Sequence, residues 1–181
     1  MQRSAVADRG RRNAVRLPLV PAYRFGSIYD IDPARLRARG IRLLLADLDN
    51  TLVPYRVKVP DARLAAWRDA LAAEGVALFL LSNSRKPGRA QRFAEALGIP
   101  YEGHAGKPRV GGFRRAMARM GVGPEETAIV GDQIFTDTWG GGNAGVLTLL
   151  VEPIEFGTLF RRARYLVEGP FRSRAARGEK F

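Results

Sequence analysis

From residue 41 onward the chain alternates short, nearly unbroken apolar runs with longer stretches whose apolar residues recur at three- and four-residue spacing. The first pattern belongs to strands buried on both faces, the second to amphipathic helices. Ile41–Ala46, apolar except for Arg42, is the first predicted strand and Val76–Leu81 the second. Between them Leu64, Trp67 and Leu71 share one helical face, Asp61 is placed to cap a helix over 62–74, and Gly75 ends it. The next helix is predicted over 87–97, with Pro87 near its start and Gly98 just past its end. A short extended piece, Ile99–Tyr101, leads to a helix at 109–120 that Gly121 stops. Thr127–Val130 and Val146–Val151 are further strands with a glycine-rich stretch between them, and 156–167 reads as a helix followed by a charged tail. Trp67 and Phe93 fall at core spacing. Strand–helix alternation of this kind specifies an α/β fold with a parallel sheet flanked by helices.

Composition narrows the chemistry. The 181 residues suit one domain with a proper core, and 46% hydrophobic with 27% charged residues is a soluble, globular balance. With no cysteine and a single histidine, His104, read here as a loop residue, thiolate and multi-histidine metal sites are excluded. Any metal must be a hard cation on oxygen ligands. The longest apolar runs fall well short of the roughly 20 residues a spanning helix needs, and no apolar segment follows the basic N-terminus as in a secretory signal. The expected location is cytoplasmic, peripheral on the inner membrane face.

The net charge of +12 is concentrated at the ends. Residues 1–24 hold six Arg and one Asp, and residues 161–181 six Arg, one Lys and two Glu, so each end carries +5. The plan is therefore a basic N-terminal segment (1–24), a nearly neutral core (25–160) and a basic C-terminal helix or tail (161–181). Such ends suit an anionic surface, and equally well serve only solubility.

In parallel sheets functional groups collect at the carboxyl ends of the strands. Read in order, those ends are Asp47-Leu-Asp49-Asn-Thr51, then Ser82-Asn83-Ser84, then Gly106-Lys107-Pro108, then Gly131-Asp132 with Asp137 five residues on. Singly, each has a plainer reading as a turn or a helix cap. Their succession, each after an apolar run, is what points to a site. Four carboxylates in one crevice would be costly unless a cation joined them, and Mg²⁺ accepts carboxylate oxygens while leaving room for water and phosphate. Lys107 and Ser82 would donate to phosphate oxygens, an inventory suited to phosphoryl transfer.

These segments resemble the motifs of the haloacid dehalogenase (HAD) superfamily. "LLLADLDNTLV" is similar to motif I, "LLSNS" to motif II, "GKP" to motif III and "VGDQIFTD" to motif IV. "SIYDIDPARLRARGIRLLLADLDNTLV", "AGKPRVGGFRRAM" and "GDQIFTDTWGG" narrow the likeness to subclass IIIA enzymes of the YqeG type, related to phosphatidylglycerophosphate phosphatases of mitochondria and plastids. The resemblance implies a Rossmann-like core. It makes Asp47 the nucleophile, Asp49 the general acid and base, and Lys107 the neutralising cation. Ser82, Asn83 and Thr51 belong to the phosphate-binding loops, with Thr51 supporting motif I. Mg²⁺ would sit on Asp47, the backbone carbonyl of Asp49 and Asp132, with Asp137 close by. The family's basic residue after motif IV is missing from Gly140-Gly141-Gly142-Asn143-Ala144-Gly145.

Only about 24 residues separate Thr51 from the second strand, and the span from Ser84 to Lys107 is equally short, so no cap domain fits at either place. An open site suits a phosphate carried on something large, and with the resemblance this makes phosphatidylglycerophosphate the leading substrate and an anionic membrane the expected partner. Two rivals remain. One is the same chemistry on soluble phosphomonoesters, nucleotides or sugar phosphates, with an oligomer partner as cap. The other is a basic nucleic-acid-binding module with a vestigial site. Apart from Tyr23, Tyr165, Phe171 and Phe181 the ends lack the aromatics such binding uses, so no specific nucleic-acid partner is expected.

Overall fold

The computed structural model describes residues 18–156 and 158–181. Its strands are β1 (Tyr23–Phe25), β2 (Leu43–Ala46), β3 (Ala77–Leu81), β4 (Tyr101–Glu102), β5 (Thr127–Gly131), β6 (Leu147–Val151) and β7 (Ala176–Arg177). Its helices are α1 (Pro33–Ala38), α2 (Ala62–Ala73), α3 (Arg89–Leu97), α4 (Gly111–Met120), α5 (Trp139–Ala144) and α6 (Leu159–Arg174). The strands form one sheet in the order β4-β3-β2-β5-β6-β1-β7, and every pairing is parallel.

Side chains alternate across a strand, so each central strand feeds two cores. Leu43, Leu45, Phe79, Leu81 and Ile129 pack with Phe113, Ala116 and Met117 of α4. Leu44, Ala46, Leu78, Leu80, Ala128 and Val130 pack on the other face with Leu64, Trp67 and Leu71 of α2 and Phe93 and Leu97 of α3. Both faces being covered is the reason these strands read as continuous apolar runs. Asp61 caps α2 as expected, its side chain accepting from the Leu64 amide at 2.8 Å.

Regular structure continues beyond 167, where a charged tail is expected. α6 continues past 167 to Arg174, and β7 then pairs with β1 at the sheet edge. Phe181 is buried, edge-to-face against Tyr23 and Phe25 with ring centroids 5.1 and 5.4 Å away. Of the basic N-terminal segment, residues 1–17 lie outside the described residues. Among the described residues no helix is long and apolar enough to cross a membrane.

Between Thr51 and β3 the only helix is α2, and between Ser84 and Lys107 there are only α3 and β4. No cap domain is inserted at either place.

Candidate active site

Register sets the site. Ala46 at the end of β2 lies opposite Leu80 of β3 and Val130 of β5, so the residues that follow emerge side by side. Asp47 continues the ladder by one step, its amide donating to Val130 O at 3.0 Å. Asp132 follows Gly131, and Asp137 returns toward the same point through a wide π turn over Ile134–Thr138. A Cβ on Gly131 would stand 2.3 Å from the Asp137 carboxyl carbon, so only glycine admits Asp137 here.

Lys107 is buried at the floor of the crevice, with Nζ 2.7 Å from Asp47 Oδ1 and 2.7 Å from Asp137 Oδ1. Asn83 holds its backbone at both ends: Nδ2 donates to Lys107 O at 2.9 Å, and the Lys107 amide donates to Asn83 Oδ1 at 3.0 Å. The Asn83 side chain is thus engaged in placing the lysine. Ser82 is buried beside it, and its hydroxyl accepts from the Ser84 amide at 3.0 Å. The Thr51 hydroxyl donates to Asp132 Oδ1 at 3.3 Å.

Carboxylate oxygens of Asp47, Asp132 and Asp137 come within 4.8 Å of one another. Lys107 contacts two of the three carboxylates and Arg164 stands 4.0 Å from the third, Asp132. Burial, then the charges of Asp47 and Asp137, push the Asp132 carboxyl up to about 8. Burial raises Asp137 as well, although Lys107 pulls against it. For Lys107 burial opposes the charge, but Asp137 and Asp47 outweigh it and hold the ammonium above its ordinary range. The crowding of three buried carboxylates and the all-oxygen donor set fit a hard divalent cation such as Mg²⁺.

The Asp49 side chain lies outside this trio. Arg89, at the first turn of α3, grips Asp49 Oδ1 through Nε at 2.8 Å and Nη2 at 2.7 Å, and its Nη1 donates to Val57 O at 2.6 Å. Burial raises the Asp49 pKa and Arg89 opposes the rise, leaving a carboxyl shifted toward carrying a proton. Between the two aspartates' loop and the rim, Asn50 takes φ +71°. Its Nδ2 donates to Glu155 O at 2.8 Å, and the Ile154 amide donates to Asn50 O at 3.1 Å.

A second layer holds the Asp132 loop and was not legible from motifs. Glu168 and Arg172 of α6 are both buried and pair at 2.9 Å. Arg172 donates to the backbone carbonyl of Asp132, and Glu168 Oε1 accepts from the Ile134 amide at 3.0 Å. Arg164 donates to Gln133 Oε1 at 2.9 Å and stands 4.0 Å from Asp132 Oδ2. Arg89 had a readable signal: it falls on the same stripe of α3 as the buried Phe93 and Leu97, where a charge needs a partner. The Glu168–Arg172 spacing is that of any exposed i,i+4 pair.

Residues 57–145 match a family model described as a haloacid dehalogenase-like hydrolase. The chain is 35% identical over 128 residues to the probable phosphatase YqeG of Bacillus subtilis, covering 71% of this chain and 74% of that one. It is 32% identical over 153 residues to the chloroplastic phosphatidylglycerophosphate phosphatase 1 of Chlamydomonas reinhardtii, covering 80% of this chain but only 56% of that longer protein. Among solved structures, the cobalt-bound deoxy-D-mannose-octulosonate 8-phosphate phosphatase of Haemophilus influenzae shares the fold, with TM-score 0.51 at 17% identity over 74% of this chain and 92% of that one. The order of the motifs along the chain, their meeting at the strand ends and the likeness to YqeG over most of both chains agree: the chain belongs to the haloacid dehalogenase-like hydrolases, in the branch of the YqeG-type phosphatases.

Proposed function

We propose that the protein is a Mg²⁺-dependent phosphomonoesterase that works through an aspartyl-phosphate on Asp47 and acts on a lipid-borne phosphate, phosphatidylglycerophosphate. The observation that carries the reading is Lys107 joining Asp47 to Asp137 at the floor of a crevice that also holds Asp132.

Asp47 attacks phosphorus in line with the ester oxygen, and the bond to that oxygen breaks as Asp49 delivers its proton to it. Asp49, now a carboxylate, takes a proton from the water that attacks the aspartyl-phosphate. The bond from phosphorus to Asp47 breaks and both aspartates return to their starting states. Lys107 and the Ser82 hydroxyl hold oxygens of the transferring group, and Lys107 offsets the charge of the nucleophile. Arg89 keeps Asp49 aimed and limits the rise in its pKa. Asp47, Asp132, Asp137 and the backbone carbonyl of Asp49 would hold the cation, which when bound neutralises charge on the transferring phosphoryl group.

Two observations favour a lipid. No cap closes over the site, so a phosphate at the end of a large carrier can reach it. The relatives whose names specify phosphatidylglycerophosphate are 32% and 30% identical to this chain, though it spans only 56% and 38% of their lengths. The working location is then the surface of an anionic membrane.

The test is phosphate release from phosphatidylglycerophosphate in vesicles, compared with a nucleoside monophosphate and a sugar phosphate, with Mg²⁺ and with EDTA. The reading expects Mg²⁺-dependent release with the highest kcat/KM on the lipid. Faster turnover of the soluble esters would remove the lipid assignment, and no release from any of them would remove the phosphatase.

A further inference from the structure

α6 is turned inside out for a surface helix. Such helices bury an apolar stripe and show water a polar face. Here the inward face carries the Glu168–Arg172 pair, while Leu159, Phe160, Leu166 and Val167 point outward at 83%, 76%, 75% and 62% exposure. Ile154 and Phe156, on the loop leading into the helix, are exposed as well. Six of the eight large hydrophobic side chains exposed among the described residues therefore fall between 154 and 167. Clustering of this kind, unlike single exposed apolar residues, marks a surface meant to be covered.

The charges around it say by what. Arg162 and Arg174 are exposed on the same helix, and Arg161 is half-buried. Among the described residues no carboxylate lies within ion-pair distance of any of the three. Arg161 and Lys86 both stand over the ring of Tyr55, at 4.8 and 4.0 Å, a few residues beyond Thr51. A second copy of this chain would bring the same unpaired arginines, on a molecule of charge +12, against themselves. Exposed Leu and Phe set among arginines suit an anionic bilayer, whose headgroups take the cations while its acyl boundary takes the apolar side chains.

The helix is also continuous with the site. Arg164 contacts Gln133 and approaches Asp132, while Ile154 and Glu155 are hydrogen-bonded to Asn50. We infer that the outer face of α6, with Ile154 and Phe156, is the surface by which the protein lies on an anionic bilayer, bringing the mouth of the Asp47 crevice to headgroup level. The inference deepens the lipid reading above and rests on it. It narrows the membrane contact from the two charged ends of the chain to one helix, α6, within the C-terminal one and beside the site.

Co-sedimentation tests it with vesicles of phosphatidylcholine alone and of phosphatidylcholine with phosphatidylglycerol, containing no substrate. The triple variant Leu159→Ser/Phe160→Ser/Leu166→Ser alters only exposed side chains, and its folding is checked by its melting temperature and its rate on a soluble phosphomonoester, both expected unchanged. Wild type should prefer the acidic vesicles, and the triple variant should lose about tenfold or more of that partitioning. A charge variant, Arg162→Gln/Arg174→Gln, should narrow the preference for acidic over neutral vesicles. Equal binding of wild type and triple variant would overturn the inference. So would indifference to vesicles together with a dimer or a protein complex that the triple variant abolishes. On phosphatidylglycerophosphate dispersed in detergent the triple variant should match wild type while falling behind on vesicles. If neither protein hydrolyses the detergent-dispersed lipid, the substrate reading fails, and vesicle partitioning still decides the role of the helix.

Discussion

Glu168 and Arg172 face each other one turn apart on α6, joined at 2.9 Å and both buried, and together they hold the backbone on either side of Gln133. The C-terminal helix is thereby part of the machinery that aims Asp132. Glu168→Ala would leave Arg172 buried without its partner, a loss of about 3–5 kcal/mol. Denaturant unfolding should show that loss, and the Mg²⁺ concentration for half-maximal phosphate release should rise because the Asp132 loop loses its anchor. Unchanged values for both would mean that the pair does not shape the site.

Arg89 is expected to control when Asp49 holds its proton. Its positive charge lowers the Asp49 pKa against the rise caused by burial. Arg89→Met should therefore raise that pKa further. In the proposed mechanism Asp49 must be protonated to assist the leaving oxygen, so activity in kcat/KM is lost as pH rises through its pKa, and a higher pKa moves this alkaline limb to higher pH. Disordered aim should also lower kcat by about tenfold to a hundredfold. A pH profile with an unmoved limb would show that Asp49 is not the titrating acid.

The crowded carboxylates make the metal-free protein pH-sensitive. Asp132 titrates at about 8 in the fold against an ordinary value of 3.8, so the folded state holds its proton more tightly than the unfolded chain. A group shifted this way costs the fold increasing stability as pH rises from the unfolded pKa to the folded one. In EDTA the melting temperature should fall between about pH 5 and pH 8. Mg²⁺ competes with that proton and should raise the melting temperature more at the higher pH. A metal effect as large at the lower pH would contradict the cluster of Asp47, Asp132 and Asp137 as its site.

The sheet was readable in the sequence where burial is two-sided and the runs are long, as in β2, β3, β5 and β6. β1 and β7 were not, because a three-residue and a two-residue strand carry no periodicity of their own. Their place depends on contacts across the whole chain, such as Tyr23 beside Ala176 and Phe181 against Phe25. The residues meeting in the crevice were legible because each directly follows a strand or its loop. The sequence places Asn83 among the phosphate-binding residues, and in the structure its side chain is engaged with the Lys107 backbone. Composition counts the arginines after 160 as one basic helix or tail without showing which are paired; Arg172 is buried on Glu168, while Arg162 and Arg174 stand outside.

Phosphate release by Asp47→Asn tests most directly the proposed role of Asp47 as the nucleophile that attacks phosphorus. The amide keeps the shape of the side chain and relieves repulsion among the three carboxylates, so the variant should melt no lower than wild type. With no nucleophile, its Mg²⁺-dependent phosphate release should fall by at least about a thousandfold. A folded Asp47→Asn protein that releases phosphate at the wild-type rate would contradict the mechanism.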